Sequence, residues 1–160
     1  MDFVQFLIGD RRCALAVGAV LEIVDAPTVT PVPLVGHVVR GVFPYRGQPL
    51  AIIDLEPELL GGRALGAAAD ASEMHRAAVP FALVLEASLH TDPQPVRAAL
   101  AVDRVSRVRT LEAPHVRPPM HSPRFVTGNV LDSDGPALLL DAGFVIEHAM
   151  ATVKQGPRSP

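Results

Sequence analysis

Tryptophan is absent from this 160-residue chain, tyrosine occurs once, and aromatic residues total 4%. With so few rings, a core has to be filled by Val, Leu, Ile and Ala. Cysteine is scarce as well. Cys13 stands alone, which excludes an intrachain disulfide, and within Arg12-Cys13-Ala14-Leu15 it reads as a buried strand thiol rather than a nucleophile. Long apolar runs are missing: none approaches the roughly 20 residues needed to span a bilayer. The start, Met1-Asp2-Phe3-Val4-Gln5, has neither the basic nor the apolar region of a signal peptide. These absences predict a cytoplasmic protein with no direct membrane insertion. An excess of one charge is missing too, with 14 basic against 17 acidic residues and a net charge of −3. Nucleic acid is bound through a basic surface that displaces counterions, so it is not an expected partner.

Signatures of catalysis are equally scarce. Six histidines are present, none at HxxxH spacing, and there is no CxxC, so a metal site has no local signature. His115 and His121 bracket Arg117-Pro118-Pro119, a stiff loop in which solvated histidine is the ordinary outcome. The dinucleotide-binding, phosphate-loop, nucleophile-elbow and zinc-protease motifs do not occur. Asp54, Asp103 and Asp141 each close an apolar strand, which raises the thought of a hydrolase with paired carboxylates. Asp54 and Asp141, however, precede candidate helices, where a carboxylate caps free N–H groups. No catalytic residue, metal ligand or cofactor is assigned, and the hydrolase is the least favoured reading.

What is present is punctuation. Apolar residues make up 49% of the chain, interrupted by 16 prolines and 12 glycines, which favours short strands over long helices. Phe3–Ile8 and Arg12–Val17 flank the turn Gly9-Asp10-Arg11, and Leu21–Val24 follows. Gly41–Tyr45 and Gln48–Asp54 flank Arg46-Gly47. Pro80–Ala87, Val96–Val102, Val105–Leu111, Phe125–Leu131 and Pro136–Asp141 complete about ten strands. Short helices are expected at Leu55–Leu60 and Ala142–Met150. The stretch Gly61–Ala78 is rich in Ala and Gly and reads as a linker. The C-terminal tail, 151–160 and above all Gln155–Pro160, is expected to be disordered.

The chain also matches itself. Ala14, Leu15, Ala16, Val17 and Val20 correspond to Ala99, Leu100, Ala101, Val102 and Val105, a shift of 85 positions. Gly41, Pro49 and Asp54 correspond to Gly128, Pro136 and Asp141, a shift of 87. Two blocks in the same order at a near-constant shift indicate a duplication, hence an all-β fold of two related halves. Residues kept in both copies serve the fold, and residues that differ are free to serve function. Glu22 corresponds to Arg107, and Arg46 to Ser133. Period-2 alternation puts Glu22 on one face with Val20 and Val24. Arg46-Gly47 sits at a hairpin tip, well placed for contacts.

These motifs resemble the CheW family of chemotaxis coupling proteins, from about Phe3 to Met150. The resemblance is carried by Cys13-Ala14-Leu15-Ala16-Val17 with Val20-Leu21-Glu22-Ile23, and by Gly41-Val42-Phe43-Pro44-Tyr45-Arg46-Gly47 with Ile53-Asp54-Leu55. Val102-Asp103-Arg104-Val105 and Leu138-Leu139-Leu140-Asp141 add to it. It implies two five-stranded, SH3-like barrels in a single domain over 1–150. Subdomain 1 would span about 12–60 and subdomain 2 about 80–150, with a linker near 61–79 and the N-terminal strand a candidate addition to the second. It also implies a non-catalytic adaptor between the cytoplasmic tip of chemoreceptors and the regulatory domain of a CheA-type histidine kinase, with other CheW-like domains as further partners. Val20, Glu22, Ile23, Tyr45, Arg46 and Gly47 would form the partner-binding surface. Ala16 and Ala51 stand where the family usually has Pro, and Pro44-Tyr45 where it usually has Asn-Leu. These departures leave open a scaffold module for a non-flagellar motility system or another signalling partner.

Overall fold

A computed structural model describes residues 2–32, 38–60, 78–110, 120–132 and 134–154. Ten strands are present: β1 (Asp2–Ile8), β2 (Arg11–Ala16), β3 (Val20–Asp25), β4 (Val39–Tyr45), β5 (Gln48–Ile53), β6 (Phe81–Ser88), β7 (Pro95–Val102), β8 (Arg104–Thr110), β9 (Val126–Asp132) and β10 (Gly135–Leu140). Among the described residues two α-helices, α1 (Glu56–Leu59) and α2 (Ala142–Lys154), follow β5 and β10. The strands form two five-stranded sheets of order β8-β1-β2-β10-β9 (barrel 1) and β3-β6-β7-β5-β4 (barrel 2). The all-β, duplicated architecture expected from sequence is the one observed.

The duplication extends to the register. Adding five to each strand number of barrel 2, cyclically, generates barrel 1 in the same order. Ile52 pairs in parallel with Ala99, and Leu139 pairs in parallel with Ala14 at the equivalent place. One bulge falls between Val39 and Gly41 opposite Ile53 and Ile52, and its counterpart falls between Val126 and Gly128 opposite Leu140 and Leu139. The Asp54 N–H bonds the Val38 carbonyl (2.7 Å), as the Asp141 N–H bonds that of Phe125 (3.0 Å). Sheet membership, however, departs from the division into 12–60 and 80–150. The β1–β2 hairpin pairs with β8, β9 and β10, and the β6–β7 hairpin with β3, β4 and β5. The halves have exchanged their first hairpins, two strands each. The physical reason is that β2 and β7 each need a parallel neighbour, and a parallel pair requires a long crossover rather than a hairpin.

Exchange produces a shared core. Val4, Phe6, Ile8, Cys13 and Leu15 of barrel 1 pack with Ile53, Leu83, Leu85, Leu100 and Val102 of barrel 2, and α2 closes the cluster with Val145, Ile146 and Ala149. Alternate residues of the same strands turn into the barrels. In barrel 2 these are Ala82, Val84, Ala99 and Ala101, against Phe43, Leu50 and Ile52. Both faces of the β6–β7 hairpin are therefore buried, which explains its continuous apolar run. Size is traded between the barrels. The register places Phe3 of β1 where β6 has Ala82, and Phe43 of β4 where β9 has Val130. Each barrel interior thus holds one phenylalanine, entering from opposite walls, and a ring-poor sequence fills both.

Local chemistry sets the ends. The Asp141 carboxylate accepts the Phe144 N–H at 2.9 Å, capping α2 as expected. That helix runs one turn beyond Met150 to Lys154, so 151–154 belong to the folded domain; Gln155–Pro160 lie outside the described residues. The helix expected at Leu55–Leu60 is a single turn, Glu56–Leu59, with the Asp54 carboxylate on the Glu56 N–H at 3.0 Å. Asp103 accepts the Gly9 N–H at 2.6 Å, tying the β1–β2 turn to the start of β8. Of the linker expected near 61–79, residues 61–77 with His75 also lie outside the described residues, as do His37 and His115, while Val79 is buried in barrel 2.

Barrel 2 is closed by backbone. Thr30 and Val42 exchange two hydrogen bonds, of 2.7 and 2.9 Å, linking the segment after β3 to β4. A Cβ on Gly41 would meet the Thr30 carbonyl oxygen at 2.3 Å. Gly41→Ala is therefore expected to cost about 2–3 kcal/mol in urea unfolding, as overpacking against backbone does. Gly18→Ala, whose Cβ meets nothing within 4 Å, should be neutral or stabilising by up to about 1 kcal/mol. Burial pushes the Cys13 thiol to about 12, with Arg11 only partly opposing. In a native-state assay with a disulfide reagent, Cys13 should label only as fast as the protein opens, and adding denaturant should accelerate labelling sharply.

Candidate functional site

Of the residues singled out from sequence, Glu22, Tyr45, Arg46 and Gly47 fall at one corner of barrel 2, near the Thr30–Val42 bridge that links the segment after β3 to β4. Arg46 and Gly47 form a two-residue turn closed by the Tyr45–Gln48 pair, with φ of +50° and +77°. Positive φ at both central residues is the twist-matched hairpin turn, and it ordinarily selects Asn or Asp before Gly. An arginine held there carries backbone strain of about 1 kcal/mol or more. Its guanidinium carbon lies 5.2 Å from the centroid of the Tyr45 ring, within cation–π range.

Tyr45 is the floor of the site rather than an exposed contact. Its ring packs at 6.3 Å from that of Phe43 and belongs to the interior of barrel 2. The hydroxyl is covered from solvent and makes no hydrogen bond of good geometry. The Glu22 carboxylate nevertheless lies close enough to be its main partner. That interaction, with burial adding, holds the phenol above its ordinary 10.0, while Arg46 and Arg97 oppose. Glu22 on β3 and Arg46 on the β4–β5 turn are thereby joined through one aromatic ring.

The strand bearing Glu22 differs from the sequence expectation. A bulge between Val20 and Glu22 puts Val20 opposite Leu85 and Glu22 opposite Val84, residues that face the shared core and the barrel interior respectively. Val20 and Glu22 consequently point to opposite faces, because an extra residue in a strand resets the alternation. Val20 is half-buried on the shared core, Val24 follows Glu22 toward the barrel interior, and Ile23 stands 45% exposed. Leu21, also exposed at 42%, escaped the sequence reading. The bulge exposes three consecutive residues, Leu21, Glu22 and Ile23, where alternation alone would hide one.

Two other features compare poorly as chemical centres. A cavity of about 90 Å³ is lined by Arg40, Asp54, Glu56 and Asp103, too small for a substrate. Its carboxylates are committed: Asp54 pairs with Arg40 at 2.8 Å and caps α1, and Asp103 holds Gly9. Glu56 is pushed above the carboxylate range by burial and by Asp54 and Asp103, against Arg40. The other feature is an apolar groove of about 260 Å³ between α2 and barrel 2, lined by Val39, Ala51, Ile53, Val96, Met150 and Val153 among others. The spacing of Met150 and Val153 on one helical face was its legible signal. Among the described residues, no cluster of three or more His, Cys, Asp or Glu could hold a metal, and no helix is long and apolar enough to cross a membrane.

Against known proteins, the family model for the CheW-like domain matches residues 2–150. The chain belongs to the CheW-like domain family. Among solved structures it is similar to the scaffolding protein TtCheW from Thermoanaerobacter tengcongensis, with a TM-score of 0.64 at 19% sequence identity, covering 91% of this chain and 92% of that one. Among curated proteins none matches the chain. In this CheW-like domain the Glu22–Tyr45–Arg46 corner is a place where the duplicated scaffold departs from its own symmetry. Asp132 occupies the position of Tyr45, and Arg107 that of Glu22.

The lone tyrosine makes the site measurable. With no tryptophan and one tyrosine in the chain, an alkaline absorbance titration reports Tyr45 directly. Its midpoint is expected above 10, and Glu22→Gln should bring it down toward the ordinary value. Because the folded-state pKa is the higher one, stability is retained up to about pH 10, the pKa of tyrosine in the unfolded chain. It then falls as pH rises through the folded pKa. An unchanged midpoint in Glu22→Gln would show that the two groups are not coupled.

Proposed function

We propose that this CheW-like domain is a non-catalytic, cytoplasmic adaptor of chemotaxis-type signal transduction, coupling chemoreceptors to a CheA-type histidine kinase. The observation that carries the reading is the convergence of Glu22, Tyr45 and Arg46 at one exposed corner, flanked by Leu21 and Ile23. An arginine kept in a strained backbone conformation over an aromatic ring, beside an acid and bare aliphatic side chains, has the composition of an interface hot spot. Family membership and the scaffold fold support the adaptor role, and the use of Asp54, Asp103 and Asp141 as caps and ties speaks against a hydrolase.

The regulatory domain of the cognate CheA-type kinase is the binding probe. By calorimetry, Arg46→Ala and Glu22→Ala are each expected to weaken binding at least about tenfold, equivalent to about 1.4 kcal/mol. Arg12→Ala, at a half-buried arginine of barrel 1 that pairs with Asp134, should bind as the wild type does. Arg46→Gly should lose affinity while unfolding within about 1 kcal/mol of wild type, since glycine relieves the positive φ. Equal binding by all variants would remove the corner from the interface.

A second reading is a scaffold for a non-flagellar motility system or another signalling partner. Pro44 and Tyr45 in the site hairpin favour it, since both differ from the family's usual residues at positions flanking Arg46. Native co-purification that recovers neither a receptor nor a histidine kinase would select it.

A further inference from the structure

The second copy of the duplicated unit carries two additions that the first lacks among the described residues. β1 and β2 are joined by Gly9-Asp10 alone, whereas β6 and β7 are joined by the loop Leu89–Gln94. α1 has four residues and α2 has 13. The two additions meet. The loop is braced internally, the Asp92 N–H on the Leu89 carbonyl at 3.3 Å and the Gln94 N–H on the Asp92 carboxylate at 2.9 Å. It lies so close to the start of α2 that a Cβ on Gly143 would come within 3.1 Å of the Ser88 carbonyl oxygen. The His90 backbone N–H donates to Glu147 Oε1 at 2.6 Å, and the His90 ring stacks on that of Phe144 at 4.1 Å. Phe144, Glu147 and Ala151 recur along one face of α2, while Val145, Ile146 and Ala149 take the core. Between that face, the loop and Arg124, which precedes β9, lies a pocket of about 350 Å³, within the range of small-molecule sites.

Leu89, Phe144 and Met150 give the pocket apolar walls, and Arg124 and Glu147 give it two charges of opposite sign. Arg124 is exposed and lies over the Phe144 ring, 4.8 Å from its centroid, with no carboxylate partner among the described residues. Glu147 gives Oε1 to His90, and its Oε2 has no partner among the described residues. The two border one pocket without pairing with each other. His148 is committed elsewhere, its Nε2 meeting Glu58 Oε1 at 2.6 Å. A simple anion entering here meets the repulsion of Glu147, and a simple cation that of Arg124. A zwitterion answers both, and its apolar part replaces water on the walls. We propose that this pocket binds a free α-amino acid with a large apolar side chain. Its carboxylate pairs with Arg124, its ammonium with Glu147, and its side chain packs on Leu89, Phe144 and Met150. No residue of the Glu22–Tyr45–Arg46 corner borders the pocket, so the inference stands apart from the adaptor reading.

Titration calorimetry of the full chain with L-phenylalanine, L-leucine and L-methionine tests it, at about pH 7, where both ligand termini are charged. At least one should bind with a dissociation constant of about 10 µM to 1 mM, as a ligand of about ten non-hydrogen atoms does in a half-open pocket. The amide of the tightest binder lacks the carboxylate and its N-acetyl derivative lacks the ammonium. Each should bind about tenfold more weakly or worse. Arg124→Gln and Glu147→Gln should each lose about tenfold as well; the second substitution keeps an acceptor for the His90 N–H. Ala151→Phe, at an exposed position on the pocket wall, should abolish binding by filling the space, with the urea unfolding midpoint unchanged. Circular dichroism checks that the variants are folded. No binding of any of the three amino acids by wild type overturns the proposal. So does equal binding of the amide and N-acetyl derivatives, or undiminished binding by both glutamine variants. A protein that binds the amino acid and fails to bind the kinase domain would count against the adaptor reading alone.

Discussion

The parallel pairing of β5 with β7, and of β10 with β2, is the constraint on which this molecule depends. Each pair joins one half of the duplication to the other, because a parallel neighbour cannot come from a tight hairpin. Once β5 lies beside β7, β4 follows it on the outside and β3 lies against β6, so barrel 2 is completed by strands from the first half. The same holds for barrel 1 with the strands reversed. Neither half can close a sheet alone, and the interface between the barrels is the core itself rather than a contact of two finished units. Rigidity at the β3–β4 corner is a consequence. The corner hangs from β6 on one side and from the Gly41–Thr30 closure on the other, and both supports belong to the buried framework.

On that symmetric frame, divergence is confined to places where the frame does not need identity. Residues turned toward the shared core remain apolar in both copies, with Phe6 and Phe125 of one barrel answering to Leu85 and Val38 of the other. Barrel interiors tolerate exchange of size as long as volume is kept, as the phenylalanines entering from opposite walls illustrate. The outer strands are freer still, and there the charge reverses between Glu22 and Arg107. Function in a duplicated scaffold is accordingly sought where one copy has what the other lacks. The corner with Tyr45 meets that criterion, and its strained Arg46 adds a second, independent sign of selection for something other than stability.

Much of this was legible in the residues. Strand positions, hairpin turns and the Asp141 cap followed from alternation, Gly/Pro punctuation and capping chemistry, all of which act over a few neighbours. The duplication followed from self-matching, and Glu22 and Arg46 from comparing the copies. What escaped was nonlocal. The bulge that separates Val20 from Glu22 depends on pairing with Leu85 and Val84, sixty residues away in sequence, and alternation within one strand cannot reveal it. Burial of Tyr45 depends on Phe43 and the closing of barrel 2 around it. Leu21 was missed for the same reason as the bulge. The last turn of α2 was missed because it is held by burial of Thr152, whose hydroxyl donates to the Ala149 carbonyl, and by the apolar groove that Met150 and Val153 border.

By itself, then, the amino-acid order determined an all-β chain of two related halves, its turns, its caps and the pair of residues that break the repeat, because those properties are written in local periodicity and in comparison of one segment with another. Only the tertiary structure decided which half supplies which strand to each barrel, which face Glu22 takes, and that Tyr45 links it to Arg46. Those outcomes are fixed by hydrogen-bonded pairing and close packing between segments far apart in the chain, where the choice of neighbour is made by burial of both sheet faces at once and by nothing that a single segment carries.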